Sequence, residues 1–295
     1  MDKQVYFVPL VDVSWFNLGP LNPRKNFIAD PPPLDLCLKE AEGIIDLMRD
    51  LYDGKLVFAV YTGTYCRDKF SEEPFLSTWR RSIAQGGEIV LHTHEEIAGV
   101  GTRNGEKEHM TEVIRRQFDK LKSGGVDPVG FRGGLYGYAN FLTSLLEELD
   151  LKIDFSAAPG INKKDREAVW TGIPCSAFYL CPINKTHRHC HHSLSNILEI
   201  PIGTDGKGTE NENYHYVDYD LSTLETAIDI WDIVRQRAFD VGEPQFIYTL
   251  FHTFSMSNPV MVERYCRFTD YVLANGGQPV TGTESKKIFD QLHIK

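Results

Sequence analysis

Two histidines and two carboxylates stand together where an apolar run stops: Gly87-Glu88-Ile89-Val90-Leu91 leads directly into His92-Thr93-His94-Glu95-Glu96. On a strand continuing through them, His92, His94 and Glu96 share one face, because side chains two apart point the same way. Imidazole and carboxylate on one face are donors that hold Zn²⁺ or another divalent cation. Asp12 sits inside the near-continuous apolar run Val5 to Val13. A buried carboxylate is costly unless a metal, an arginine or a cap meets it. Arg132 closes a third apolar run and His252 a fourth, so four groups able to bind cations or move protons fall at strand ends. In α/β proteins that is where chemistry collects.

Those four positions are set by an alternation of strands and helices. Strands are expected at 4–13, 56–61, along the apolar run Ile89-Val90-Leu91 that stops at His92, and at 126–132, 152–155, 197–201, 245–251 and 279–280. Helices are expected at 34–51, at about 72–85 with Ser71 as its N-cap, at 106–122, 140–149, 221–241 and 260–273, and from near 284. Residues 95–104 read as a loop. Seven or eight βα units of this spacing indicate a parallel sheet. At 295 residues, with 42% apolar composition and no fixed-period repeat, the chain suits one large domain over 1–295. The regular alternation lapses over 157–196, which reads as an insertion, and long loops in compact domains are usually functional.

The net charge of −10, without long charged blocks, argues against nucleic acid or an anionic membrane as partner. No run approaches the roughly 18 apolar residues of a membrane span, and no signal peptide precedes the first strand. The expectation is a cytoplasmic protein whose six cysteines are reduced.

With these stretches placed, the chain resembles the polysaccharide deacetylase family, the NodB-homology or carbohydrate esterase 4 group, as a divergent member. Gly130-Phe131-Arg132-Gly133-Gly134-Leu135-Tyr136-Gly137, followed by Leu145 to Ser156, is similar to the arginine-bearing third motif. Gly87 to His94 resembles the second motif, which begins a metal-binding His-x-x-x-His. Leu198-Glu199-Ile200-Pro201 and Phe251-His252-Thr253-Phe254 resemble the later motifs, the last carrying the catalytic histidine. The resemblance implies a distorted (β/α)7 barrel and a metal-dependent carbohydrate N-deacetylase, a hydrolase acting on a linear amide. The first motif departs from the family: its usual Asp-Asp pair is reduced to Asp12 in Val11-Asp12-Val13. In the second motif Glu96 stands where the family has its second histidine.

The site implied is Asp12, His92, His94 and Glu96 around a divalent cation, Zn²⁺ by preference, with Asp12 as base or ligand and Glu95 or Glu96 as reserve base. Arg132 would align a carboxylate, and His252 would protonate the leaving amine. Gly134 in the Gly-Gly turn would offer backbone N–H groups to an oxyanion. Trp15 and Tyr136, with Phe16 and Tyr138, would face a sugar ring. Cys181, His187, His189 and Cys190 have the residue types of a second, structural zinc site, though their spacing matches no recognised finger; a lid is the other reading. The substrate expected is a sugar of a bacterial surface-polysaccharide precursor, such as an O-antigen sugar. Other amide hydrolysis, by a deformylase or non-sugar amidohydrolase, and a catalytically silent binding barrel are the alternatives.

Overall fold

The structure is a computed structural model that describes residues 4–14, 33–64, 66–97, 100–186, 195–207 and 215–293. Seven strands form the barrel wall: β1 Val5–Asp12, β2 Val57–Gly63, β3 Glu88–His94, β4 Gly130–Gly133, β5 Ile153–Asp154, β6 Leu198–Glu199 and β7 Gln245–His252. They run in the order β6-β5-β4-β3-β2-β1-β7, every neighbour parallel. The segment after β6 closes the ring onto β7: Tyr248 N donates to Pro201 O and Gly203 N to Tyr248 O, both at 2.9 Å. Farther along, Leu250 N donates to Val217 O at 2.9 Å and Tyr219 N to Leu250 O at 3.1 Å. The fold is thus a distorted (β/α)7 barrel, as the resemblance implies. Short strands Phe178–Tyr179, antiparallel to β6, and Gly277–Pro279, parallel to β1, extend the sheet.

Among the described residues seven helices wrap the wall: α1 Leu34–Tyr52, α2 Phe75–Ala84, α3 Lys107–Ser123, α4 Leu142–Glu148, α5 Leu224–Val241, α6 Pro259–Ala274 and α7 Gly282–His293. Between that jacket and the filled interior, β2 is buried along its whole length, the reason its sequence is apolar without strict alternation. Helix α1 packs Cys37, Ala41, Ile44, Ile45 and Met48 inward. It stops where Asp53 and Gly54 turn left-handed, at φ 55° and 82°.

Three expectations are corrected. Ser71 lies in a 3₁₀ turn, Lys69–Ser71, and α2 starts after Pro74 without a side-chain cap; the proline's fixed φ suits a helix start. Residues 95–104 are not all loop, since Glu96–Ile97 pairs antiparallel with Gly101–Thr102. Cys181 is disulfide-bonded, so the cysteines are not all reduced.

The described part of the insertion packs as barrel wall. A hairpin of Asn162–Lys163 and Ala168–Val169 presents Trp170, fully buried, to the barrel. The Lys185 ammonium lies 4.5 Å over the Trp170 ring and donates to the Glu167 carbonyl at 2.6 Å. Burial outweighs nearby carboxylates there and brings its pKa down to about 8. No helix among the described residues is long and apolar enough to cross a membrane.

Candidate active site

Barrel register brings four strand ends to one level. Asp12 pairs with His252 across β1 and β7, Tyr61 with His92 across β2 and β3, and His92 with Arg132 across β3 and β4. Asp12 Oδ2 lies 3.3 Å from Arg132 Nη2, 3.6 Å from His92 Nε2 and 3.8 Å from His252 Nε2. Its other oxygen, Oδ1, is buried and has no hydrogen-bond partner. Burial alone would raise the Asp12 pKa, but Arg132 and the histidines overcome it and bring it down to about 2.

The β3 histidines are oriented from behind. His92 Nδ1 lies 2.9 Å from the Arg132 carbonyl, which can only accept, so Nδ1 carries the proton and Nε2 a lone pair. His94 Nδ1 lies 2.9 Å from Glu96 Oε1, and the ring stacks on Tyr61 at 5.4 Å. Burial works against the charge on Glu96, yet His94 draws its pKa below the usual carboxylate range. Donation to Glu96 leaves His94 Nε2 turned toward His92. The two Nε2 atoms are 3.0 Å apart. Two lone pairs at that distance repel unless a cation, a proton or a metal, lies between them. Burial, which Asp12 only partly offsets, pushes His92 down to about 3 and keeps it neutral.

Across the site, His252 Nδ1 meets Asp220 Oδ2 at 2.5 Å and its ring stacks on Phe254. Burial opposes the charge, but the Asp220 hydrogen bond and the charges of Asp220, Asp218 and Asp12 hold the imidazolium up to about 9. Asp220 is itself fixed by the Ser255 hydroxyl. Asp218, two residues earlier, takes the Asp220 N–H at 3.1 Å, and burial lifts its pKa to about 7.

The Gly-Gly turn serves as a wall against His94. A Cβ on Gly134 would fall 2.2 Å from Thr93 O and 2.9 Å from the His94 ring, so only glycine admits the approach. Leu135 and Tyr136 follow at φ 52° and 63°, conformations that cost L-residues of order 1 kcal/mol each. Trp170 Nε1 braces the turn by donating to the Tyr136 carbonyl at 2.7 Å. The turn lays the Tyr136 ring 4.8 Å from the Arg132 guanidinium, and Arg132 Nη1 donates to Gly133 O.

Several expected placements change. Glu96 orients His94 from behind, facing its Nδ1 and not the Nε2 side. Glu95, fully buried, is clamped by Arg67 through two 2.7 Å contacts and by His109 at 2.6 Å, which turns it away from the centre. Tyr138 is buried with its hydroxyl on Thr143 at 3.0 Å, so it offers no face to a sugar. Cys181, being disulfide-bonded, has no thiolate to ligate a metal. Trp15, Phe16, His187, His189 and Cys190 lie outside the described residues.

Sequence reasoning missed Asp218 and Asp220, whose i, i+2 spacing in Tyr216-Val217-Asp218-Tyr219-Asp220 is the available signal. It also missed the pairing of Asp154 with Glu199. Both are buried below Arg132 and raised by burial, Glu199 well above its ordinary value. Ser156 joins Asp154 to the Gly133 N–H through two 2.7 Å bonds. The charge of Asp154 adds to the burial that raises Glu199, since two neighbouring buried carboxyls ionise at each other's expense.

Histidines and carboxylates at the C-terminal mouth of a seven-stranded parallel barrel define the class. Solved structures of the same fold include a Mycobacterium smegmatis protein assigned as a polysaccharide deacetylase. It is 15% identical, with a TM-score of 0.61 over 100% of this chain and 93% of that one. A Pseudomonas aeruginosa PAO1 protein assigned likewise is 12% identical, with a TM-score of 0.59 over 99% and 93%. Puue allantoinase is 14% identical, with a TM-score of 0.58 over 100% and 93%. The chain therefore has the polysaccharide-deacetylase fold. No family model matches the sequence, and no curated protein does.

Proposed function

We propose that the protein is a metal-dependent hydrolase that removes an N-acetyl group from a sugar of a bacterial surface-polysaccharide precursor. The observation that carries this reading is the pair of His92 and His94 Nε2 atoms, 3.0 Å apart, beside an ionised Asp12 whose Oδ1 has no protein partner. Asp12, His92 and His94 would hold the cation. Glu96 and the Arg132 carbonyl fix their tautomers, the backing common to metal-bound imidazoles. Zn²⁺ suits this donor set. When bound, such an ion polarises an acyl oxygen and makes water acidic enough to attack near neutral pH.

The remaining work belongs to the chain. Arg132 keeps Asp12 ionised; with a pKa of about 2 it is an anchor for a cation and a poor acceptor of protons. His252, protonated at neutral pH and held by Asp220, faces the same centre and gives its Nε2 proton to the departing amine. The Gly133 N–H is already given to Ser156, which leaves it out of any oxyanion pocket. Elemental analysis and acetate release from a panel of N-acetylated sugars and nucleotide sugars test the reading. About one bound metal, lost in His92→Ala, with acetate from at least one sugar, is the expected result. A metal-free protein under every loading condition sinks it.

A second reading keeps the chemistry and changes the bond. The single carboxylate of the first motif, and a fold as close to Puue allantoinase as to the deacetylases, favour a non-sugar amide. Hydrolysis of a cyclic ureide without acetate release from any sugar would select it.

A further inference from the structure

Three carboxylates crowd the His252 imidazole. Asp220 meets Nδ1 at 2.5 Å and Asp12 faces Nε2 at 3.8 Å. Ligand atoms of Asp218, Asp220 and His252 all lie within 4.8 Å of one another. Donors about 2.0–2.6 Å from one ion have such separations. Asp218 is 2% exposed, and the charges acting on it are those of His252, Asp220 and Asp12. On the far side of the same ring the Asp12 carboxylate, 3% exposed, has its Oδ1 without a partner. Asp218 and Asp12 are buried and Asp220 half-buried, so three carboxylates lie around one imidazole.

We propose that Asp218, Asp220 and His252 form a second divalent-cation site, separate from Asp12, His92 and His94 and weaker than it. The weakness follows from competition, because an ion there must replace the proton that His252 shares with Asp220, and that proton leaves to solvent. The β3 histidines keep their Nδ1 atoms on Glu96 and the Arg132 carbonyl and turn both Nε2 atoms toward the first site. Occupation of the second site removes His252 as a proton donor, so excess metal inhibits the enzyme. That last consequence rests on the hydrolase reading, whereas the site itself stands on its geometry.

Metal-free full-length protein, prepared by dialysis against chelator, is titrated with Co²⁺ and Zn²⁺, followed by calorimetry and, for cobalt, by visible absorption. Two steps are expected in the wild type. Asp218→Asn weakens the second at least tenfold and spares the first, His94→Ala removes the first and spares the second, and Asp218→Glu keeps both. A single step in the wild type overturns the site, as does an unchanged second step, or loss of both steps, in a folded Asp218→Asn. Should that variant fail to fold by circular dichroism, Asp218→Ser is read in its place, and the wild-type step count still decides. Acetate release from N-acetylglucosamine oligosaccharides under rising Zn²⁺ separates the two readings. Inhibition of wild type, shifted to at least tenfold higher Zn²⁺ in Asp218→Asn, is expected, and an uninhibited wild type with both sites filled overturns the competition. No acetate at any metal level removes the hydrolase reading and leaves the binding result to judge the site.

Discussion

On β3, His92 gives its Nδ1 proton to a backbone carbonyl and His94 gives its own to Glu96; on β7, His252 gives its Nδ1 proton to Asp220. The local geometry is similar and the outcomes are opposite. His92 is pushed down to about 3 and stays neutral, whereas His252 is held up to about 9 and stays charged. The difference lies in what surrounds each ring. His92 is fully buried against Arg132 and His94, so burial dominates. His252 has Asp220, Asp218 and Asp12 around it and is partly exposed. An imidazole becomes a ligand or an acid according to its neighbours' charge.

The comparison breaks most completely in His92→Ala, which removes a proposed ligand from the β3 side. Tightly bound metal, the fraction that survives dialysis, should fall from about one equivalent to near none, with activity lost alongside, as read by elemental analysis. On the β7 side, Asp220→Asn should keep the metal and lower kcat by about 10²–10⁴-fold, the usual worth of a positioned acid. The alkaline limb of its pH profile should move from about 9 toward the ordinary 6.5; an unmoved limb would show that Asp220 is only structural. Glu96→Gln touches the support and not the ligand. Metal affinity should drop about 10–100-fold, measured by competition with a chromophoric chelator.

The smallest effect sharpens the contrast through stability of the metal-free protein. A His whose pKa falls on folding loses stability as pH drops, so His92 destabilises the fold from 6.5 down toward 3. A His whose pKa rises on folding contributes fully below 6.5 and loses that contribution as pH climbs toward 9, which is the case for His252. Thermal midpoints should therefore peak near pH 6.5. His92→Gln should flatten the acid side, and His252→Gln the alkaline side.

Much of this was legible from residue types alone. β1, β3 and β7 are long, apolar and end in ionisable groups, so Asp12, His92 and His252 could be placed before any contact was known. The i, i+2 spacing placed His92 and His94 on one face. It could not say that Glu96 would back a ring instead of completing a ligand set, because that depends on the hairpin Glu96 enters after the strand ends. Asp218 escaped notice because its segment joins the barrel through a single bridge to Leu250 and carries no strand-like run. Glu95 was misread because its partners, Arg67 and His109, are distant in sequence and carry no shared pattern.

Beyond the ends of β1 and β7, Ser14 and Thr253 fasten the two strands with a pair of hydrogen bonds between residues 239 apart. Residues up to Thr253 must therefore be in place before Asp12 and His252 can meet. A ribosome-bound chain that has not released β7 carries a half-built barrel with the β3 histidines present and His252, the proposed acid, missing. On the proposed mechanism such a chain would release no acetate, so acetate release would report completed barrel closure, which circular dichroism, seeing mostly helices, would report too early.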